Sequence, residues 1–244
     1  MSISVLVNGA FGKMGQLTVK TISEHPNLTL AGEIGRSHDL REAIIDSKAQ
    51  VVIDFTHPDA VFNNTMTIIE TGARPVIGTS GLVRHQIQQL QQQCTELKRG
   101  GIIVPNFSLG AVLMMKYAQQ IVKYLPHVEI IEMHHDEKAD SPSGTAIRTA
   151  ELLEQAHKQV NQPDKPNRET VKGARGALHH QIPIHAVRLP GFLAHQQIIF
   201  GGRGETLVLR HDSINRECFM PGVCLACEKV MTLDRLVCGL EEIL

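Results

Sequence analysis

Through the first part of the chain, short apolar runs alternate with helical stretches. The runs fall at residues 3–7, 28–32, 51–55, 76–78 and 102–104. Each is nearly continuous in Val, Ile and Leu, as expected of parallel strands buried on both faces. Between them, residues 14–24, 40–47, 58–70 and 83–98 read as crossover helices. Pro58 suits a first helical position, where its missing N–H is no loss, and Gly72 suits the stop after that helix. Strand and helix repeated in this way predict right-handed crossovers and an α/β fold with a doubly wound parallel sheet of Rossmann type. The dinucleotide-binding domain is expected over residues 1–107.

From about Ser108 the rhythm changes. Longer helical stretches at 109–125 and 144–160 flank an apolar run at 128–133. A polar, Pro-containing segment at 161–168 and a Gly-rich stretch around Gly173 and Gly176 read as a mobile loop. Strand-like runs follow at 182–187, 196–200 and 205–210. This predicts a second, α+β domain over 108–221 on a mixed or antiparallel sheet; the resemblance set out below implies that it binds substrate and forms the oligomer. The last stretch, 222–244, reads as a helix packing back on the first domain.

Composition narrows the function classes. Lys plus Arg number 24 and Asp plus Glu 25, so no basic excess draws the chain to nucleic acid or an anionic membrane. Aromatic residues are 4% with no Trp, a poor basis for base-stacking platforms. No apolar segment is long enough to span a bilayer, and the chain opens directly on a strand-like run rather than a leader, so a cytoplasmic protein is expected. Five cysteines, an odd number, suggest free thiols. Cys224 and Cys227 lie in an apolar run at helical spacing and read as packed small hydrophobes; no second pair completes a zinc site.

The first chemical signal is the loop Gly9, Ala10, Phe11, Gly12, Lys13, Met14, Gly15, which follows a strand and opens a helix. A helix N-terminus offers unpaired N–H groups to a pyrophosphate, and glycine lets phosphate approach. The spacing is G-x-x-G-x-x-G rather than G-x-G-x-x-G, and glycines alone can simply make a turn. After the second strand, Arg36 is placed to meet a 2′-phosphate, which leans towards NADPH; a solvated loop cation is the alternative. Gly78-Thr79-Ser80-Gly81 and Pro105-Asn106-Phe107-Ser108 follow strands at the same sheet edge, where small residues let backbone groups reach a nicotinamide carboxamide; each segment alone would be an ordinary turn.

The strongest signal runs from Glu132 to Ala146. A strand ends in His134 and His135, Lys138 follows, and Ser143, Gly144 and Thr145 open a helix. Histidine titrates near neutral pH and suits proton delivery; lysine supplies charge or a proton to an anion. The Ser-Gly-Thr start resembles an N-cap with exposed amides, a receptor for carboxylate. The histidines could instead be satisfied loop residues, and Ser143 a plain cap. A metal set of Glu132, His134, His135 and Asp136 is disfavoured, because successive strand residues point to opposite faces and no helix supplies H-E-x-x-H. His179 and His180 have no evident partner.

The stretch from Glu129 to Ala146, E-I-I-E-M-H-H-D-E-K-A-D-S-P-S-G-T-A, resembles the signature of the 4-hydroxy-tetrahydrodipicolinate reductase family, also called dihydrodipicolinate reductase. The resemblance extends over nearly the whole chain, through Asp54-Phe55-Thr56-His57-Pro58, Val187-Arg188-Leu189-Pro190-Gly191 and Arg210-His211-Asp212-Ser213. It implies NAD(P)H-dependent reduction of a small dicarboxylate in diaminopimelate and lysine biosynthesis, by a homotetramer joined through its C-terminal sheets. It implies His134 as proton donor and acceptor and Lys138 as second donor. His135, Ser143, Gly144 and Thr145 become substrate contacts. Gly9 to Met14, Arg36, Gly78 to Ser80 and Val104 to Phe107 become contacts for NADPH or NADH. Two departures stand out: Phe11 where some members carry glycine, and Gly35 where some carry an acidic residue. Competing readings are another reductase of this architecture acting on an aspartate-derived aldehyde, a non-catalytic NAD(P) sensor, and a metal hydrolase.

Overall fold

The computed structural model describes residues 2–160 and 168–244; most of the polar segment expected as a mobile loop, 161–167, lies outside the described residues. The chain divides into two compact units, Met1–Leu109 with Arg216–Leu244, and Gly110–Asn215.

The first unit opens with β1 (Ile3–Asn8), α1 (Lys13–Glu24), β2 (Leu28–Ile34), α2 (Leu40–Ser47), β3 (Val51–Asp54), α3 (Pro58–Glu70), β4 (Arg74–Ile77), α4 (Arg84–Glu96) and β5 (Gly101–Ile103). Local chemistry sets several ends. The Asp39 carboxylate caps α2 by accepting from Glu42 N at 2.9 Å, and Pro58 takes the first turn of α3. In β3, Val51, Val52 and Ile53 are wholly buried, each side chain contributing about 1.5–3 kcal/mol of burial.

The second unit runs α5 (Leu109–Ile121), β6 (His127–His134), α6 (Gly144–Ala156), β7 (Ala177–His179), β8 (Ile182–Arg188), β9 (Ala194–Gly202) and β10 (Glu205–Ser213). Its sheet has the order β10-β9-β6-β8-β7; β6 and β8 are parallel and the other pairs antiparallel, so the sheet is mixed. One face is covered by α5 and α6: Met114, Ala118, Ala146, Ala150 and Leu153 pack with Ile130, Ile184, Ile198 and Phe200. The other face carries Ile131, Met133 and Ile199, all half-buried, an exposed Val208, and ion pairs of Glu129 with Arg175 and of Asp212 with Arg210. Both helices stop four residues short of the expected ends, and β7 stands where only a loop was expected.

The C-terminal segment returns to the first unit as α7 (Met220–Lys229) and β11 (Leu236–Cys238). This corrects the expectation of a single helix over 222–244: the tail supplies a sixth strand, parallel to β5. The completed sheet has the order β11-β5-β4-β3-β1-β2, every pair parallel. Cys224 and Cys227 are buried on α7, and burial pushes the Cys224 thiol up to about 11. From β1 the chain moves out to β2 and then back to β3 on the other side. The switch point therefore falls between β1 and β3, where doubly wound sheets bind ligands.

Candidate active site

At the switch point, Gly9 follows β1 with φ +85°, and a Cβ there would lie 2.3 Å from Phe55 O. Only glycine fits. Gly12 is the N-cap of α1 and contributes no side-chain cap, which leaves the first turn open. Ala10 is buried, Met14 half-buried, and Phe11 and Lys13 exposed. The Phe11 ring lies over Gly35: a Cβ at position 35 would come within 2.7 Å of Phe11 Cδ2. The two departures from the expected motif are thus one arrangement, since the ring occupies the space a side chain at 35 would need. Gly9, Phe11, Gly12, Arg36, Phe55 and Asn64 line a cleft of about 580 Å3. A glycine turn, an open helix N-terminus and a cleft beside an exposed arginine fit a dinucleotide.

Asp54, at the end of β3, is fully buried. Its carboxylate accepts from Asn8 Nδ2 and Asn64 Nδ2, both at 2.9 Å, from Thr56 Oγ1 at 2.7 Å and from Thr79 Oγ1 at 2.6 Å. One carboxylate therefore ties the β1 end, the turn before α3 and the turn after β4. Beside it, Gly78 is packed between the rings of Phe55 and Phe107, which meet edge-on at 5.6 Å, and Ser80 is exposed. Val104 N donates to Ile77 O at 2.8 Å, Pro105 is exposed, and Asn106 Oδ1 accepts from Ser108 N at 2.9 Å. The three coenzyme segments named from sequence all lie at the carboxyl edge of this sheet.

In the second unit, β6 alternates so that Val128, Ile130, Glu132 and His134 share the helix-covered face. Glu132 is fully buried. Its carboxylate accepts from His134 Nδ1 at 2.6 Å, from both terminal nitrogens of Arg188 at 2.7 and 2.8 Å, and from Ser143 N at 3.0 Å. Burial alone would raise this carboxyl, but the bonds from Arg188, His134 and Ser143 outweigh it and hold it below the usual range. Burial pulls the His134 imidazole down; Glu132 opposes that, while Lys138 and Arg188 add to it, and the net direction is down. Lys138 Nζ meets Asp140 at 2.6 Å.

Ser143 caps α6, its Oγ accepting from Ala146 N at 3.3 Å. A Cβ on Gly144 would meet nothing within 4 Å, so the start of α6 is open. The N–H groups of Gly144 and Thr145 belong to a first turn that the helix itself cannot pair. His134, Lys138 and the α6 start thus share one locality, joined through Glu132; His135 follows the strand end, half-buried and outside that network. Glu132 and Arg188 were not picked out as an anchoring pair from sequence, nor Asp54 as a clamp. The signal for Glu132 was present: it sits in phase with Val128 and Ile130, the positions that must be buried.

Residues 3–107 match the family described as dihydrodipicolinate reductase, N-terminus, and residues 110–244 the one described as dihydrodipicolinate reductase, C-terminus. The chain is 51% identical over 244 residues, all of both chains, to the 4-hydroxy-tetrahydrodipicolinate reductase of Legionella pneumophila. It is equally similar, 51% over the full length of both, to the enzyme of that name from Coxiella burnetii. Among solved structures, a dipicolinate-bound dihydrodipicolinate reductase from Paenisporosarcina sp. TG-14 matches with TM-score 0.95 and 43% identity over 100% of both chains. The chain belongs to the dihydrodipicolinate reductase family, NAD(P)H-dependent oxidoreductases that reduce 4-hydroxy-tetrahydrodipicolinate in diaminopimelate and lysine biosynthesis.

Proposed function

We propose that the first unit holds the nicotinamide coenzyme at Gly9 to Met14, Arg36, Gly78 to Ser80 and Val104 to Phe107. The second unit holds the substrate at His135, Ser143, Gly144 and Thr145, with His134 and Lys138 supplying protons. When bound, the reduced coenzyme supplies hydride. Loss of the 4-hydroxyl as water leaves a conjugated ring; hydride arrival builds negative charge on that ring, and protonated His134 or Lys138 quenches it, giving tetrahydrodipicolinate. The substrate carries two carboxylates; the open N-terminus of α6 suits one, since its unpaired N–H groups and dipole favour an anion. A dianion near His134 also raises the imidazole's affinity for a proton, offsetting the burial that lowers it in the free site. The observation that carries this reading is a single carboxylate, Glu132, bridging the imidazole and the first residue of the α6 cap.

Arg36 and the Phe11–Gly35 arrangement favour NADPH. The guanidinium can grip a 2′-phosphate bidentately, and position 35, over which the exposed Phe11 ring lies, carries no carboxylate to reward free ribose hydroxyls. The open face of the second sheet, with its half-buried apolar residues and exposed Val208, suits a subunit interface in a cytoplasmic homotetramer. No helix among the described residues is long and apolar enough to cross a membrane.

The test follows NADPH oxidation with substrate generated freshly from pyruvate and aspartate semialdehyde, with and without a chelator. Substrate-dependent oxidation, indifferent to chelator, is expected. Absence of oxidation, or its loss on chelation, would overturn this reading.

A further inference from the structure

We propose that the buried Glu132–Arg188 pair is the positioning unit of this site: it fixes the tautomer and orientation of His134 and buckles the loop carrying Lys138, while touching no substrate itself. This rests on the reading of His134 as a proton donor.

An arginine beside a site for a dianion invites assignment to the substrate, but the Arg188 guanidinium has five N–H donors, and all are engaged. One terminal nitrogen donates to Glu132 Oε2 at 2.7 Å and to Val187 O at 2.8 Å. The other donates to Glu132 Oε1 at 2.8 Å and to Asp140 O at 2.7 Å. Nε donates to Lys138 O at 3.3 Å. The side chain thus bridges the strand that bears His134 and the backbone on either side of Ala139. Nothing is left over for a ligand.

Glu132 completes the device. As an ionised carboxylate it can only accept, so His134 Nδ1 must carry the hydrogen of their 2.6 Å contact. Nε2 is then the nitrogen that exchanges a proton with the substrate. The charged groups facing His134 are Glu132 on its own strand, Arg188 from β8 and Lys138 from the loop, with Asp140 behind Lys138. Of these, Glu132 sustains the protonated form and the two cations oppose it.

Glu132→Gln keeps the volume and removes the charge. Turnover should fall on the order of 10–10²-fold, less than the loss of a proton donor itself. The alkaline limb of the pH profile should move to lower pH, because the imidazolium loses its counter-charge. Coenzyme affinity, read by fluorescence titration, should hold. In a His134→Gln background, the loss caused by Glu132→Gln should shrink to about threefold, the part carried by the Lys138 loop and the α6 start, since the imidazole it orients is no longer present. Equal losses in both backgrounds would overturn the proposal. If His134→Gln itself cost nothing, the proton-donor reading would fail instead, so the two failures are distinguishable. For Arg188, Arg188→Lys in a Lys138→Ala background should leave the substrate KM unchanged; a further rise would place the guanidinium on the substrate and overturn that half. Should Glu132→Gln not fold, 15N NMR of the wild-type imidazole decides the matter: neutral His134 must be the Nδ1–H tautomer, and an Nε2–H tautomer contradicts the proposal.

Discussion

The two units each bury one carboxylate completely beside the residues proposed for coenzyme and substrate, and the two are partnered differently. Asp54 is held by neutral donors, two asparagine amides, two threonine hydroxyls and the Thr56 backbone N–H, and through them it ties together the ends of β1 and β3 and the turn after β4. Glu132 is held by an arginine, a histidine and one backbone amide, and what it fixes is side chains that carry charge. A coenzyme recognised through its phosphates and carboxamide needs a rigid shape, which amide and hydroxyl partners supply without introducing a second titrating group. A substrate that must receive a proton needs an imidazole in one tautomer at the right basicity, which an anionic partner supplies. Each hydrogen bond to a charged group is worth about 1.5–3 kcal/mol, so both clamps are strong. Their difference lies in what they control.

The comparison breaks most readily at His134. Replacing it by glutamine removes the group on which the Glu132 clamp acts, and turnover should fall about 10²–10⁴-fold while coenzyme affinity stays near normal. A variant within about threefold of wild-type turnover would remove His134 from proton delivery and leave Glu132 as a purely structural anchor.

A smaller effect sharpens the coenzyme side. Arg36→Ala should lower kcat/KM with NADPH about tenfold, equivalent to about 1.4 kcal/mol, and change it little with NADH. Equal losses with both coenzymes would place Arg36 near the shared adenine or ribose instead. Phe11→Gly combined with Gly35→Glu should move the preference towards NADH, because a carboxylate is added at 35 and the ring now lying over that position is removed.

The smallest effect is on stability. The folded Glu132 carboxyl lies below its ordinary value, so its contribution is complete above the usual carboxylate range and is lost as pH falls through the lowered value. His134 is also lowered, so below its ordinary 6.5 the unfolded chain binds a proton that the fold resists, and stability again falls in acid. Both signs agree. Thermal unfolding should therefore soften as pH drops below about 6.5, and His134→Gln should flatten that decline. Each kcal/mol involved would appear as roughly 2–4 °C in Tm. A decline of the same slope in the variant would show that His134 does not contribute.

The alternation of buried strands and helices made the first unit readable, because a parallel sheet writes itself as apolar runs at regular spacing. The α6 start was equally plain, since Ser143 before Gly144 is a cap in any context. Strand β11 was hidden because Leu236–Cys238 is only three residues long and follows an apolar helix. Strand β7 was hidden for a different reason. Its hairpin to β8 turns on His180 and Gln181, with φ of 50° and 64°, where such two-residue turns usually advertise themselves with Asn-Gly. The grouping of His134 and Lys138 beside the α6 start could be read from their closeness in sequence. Arg188 could not be joined to Glu132, 56 residues away, because their pairing depends on the parallel register of β6 and β8. Phe11 and Gly35 each stood out singly, and only the structure makes them one feature.

If one carboxylate shapes the coenzyme site and the other tunes the proton donor, their loss should separate cleanly in a single measurement, the dissociation constant of NADPH by fluorescence titration in Asp54→Asn and Glu132→Gln. Asparagine at 54 leaves a donor facing donors in a buried cluster, at a cost of about 1–3 kcal/mol, and NADPH should bind roughly tenfold more weakly or worse. Glu132→Gln should bind NADPH as wild type does. Weakening of NADPH by Glu132→Gln to the same extent as by Asp54→Asn would contradict the account.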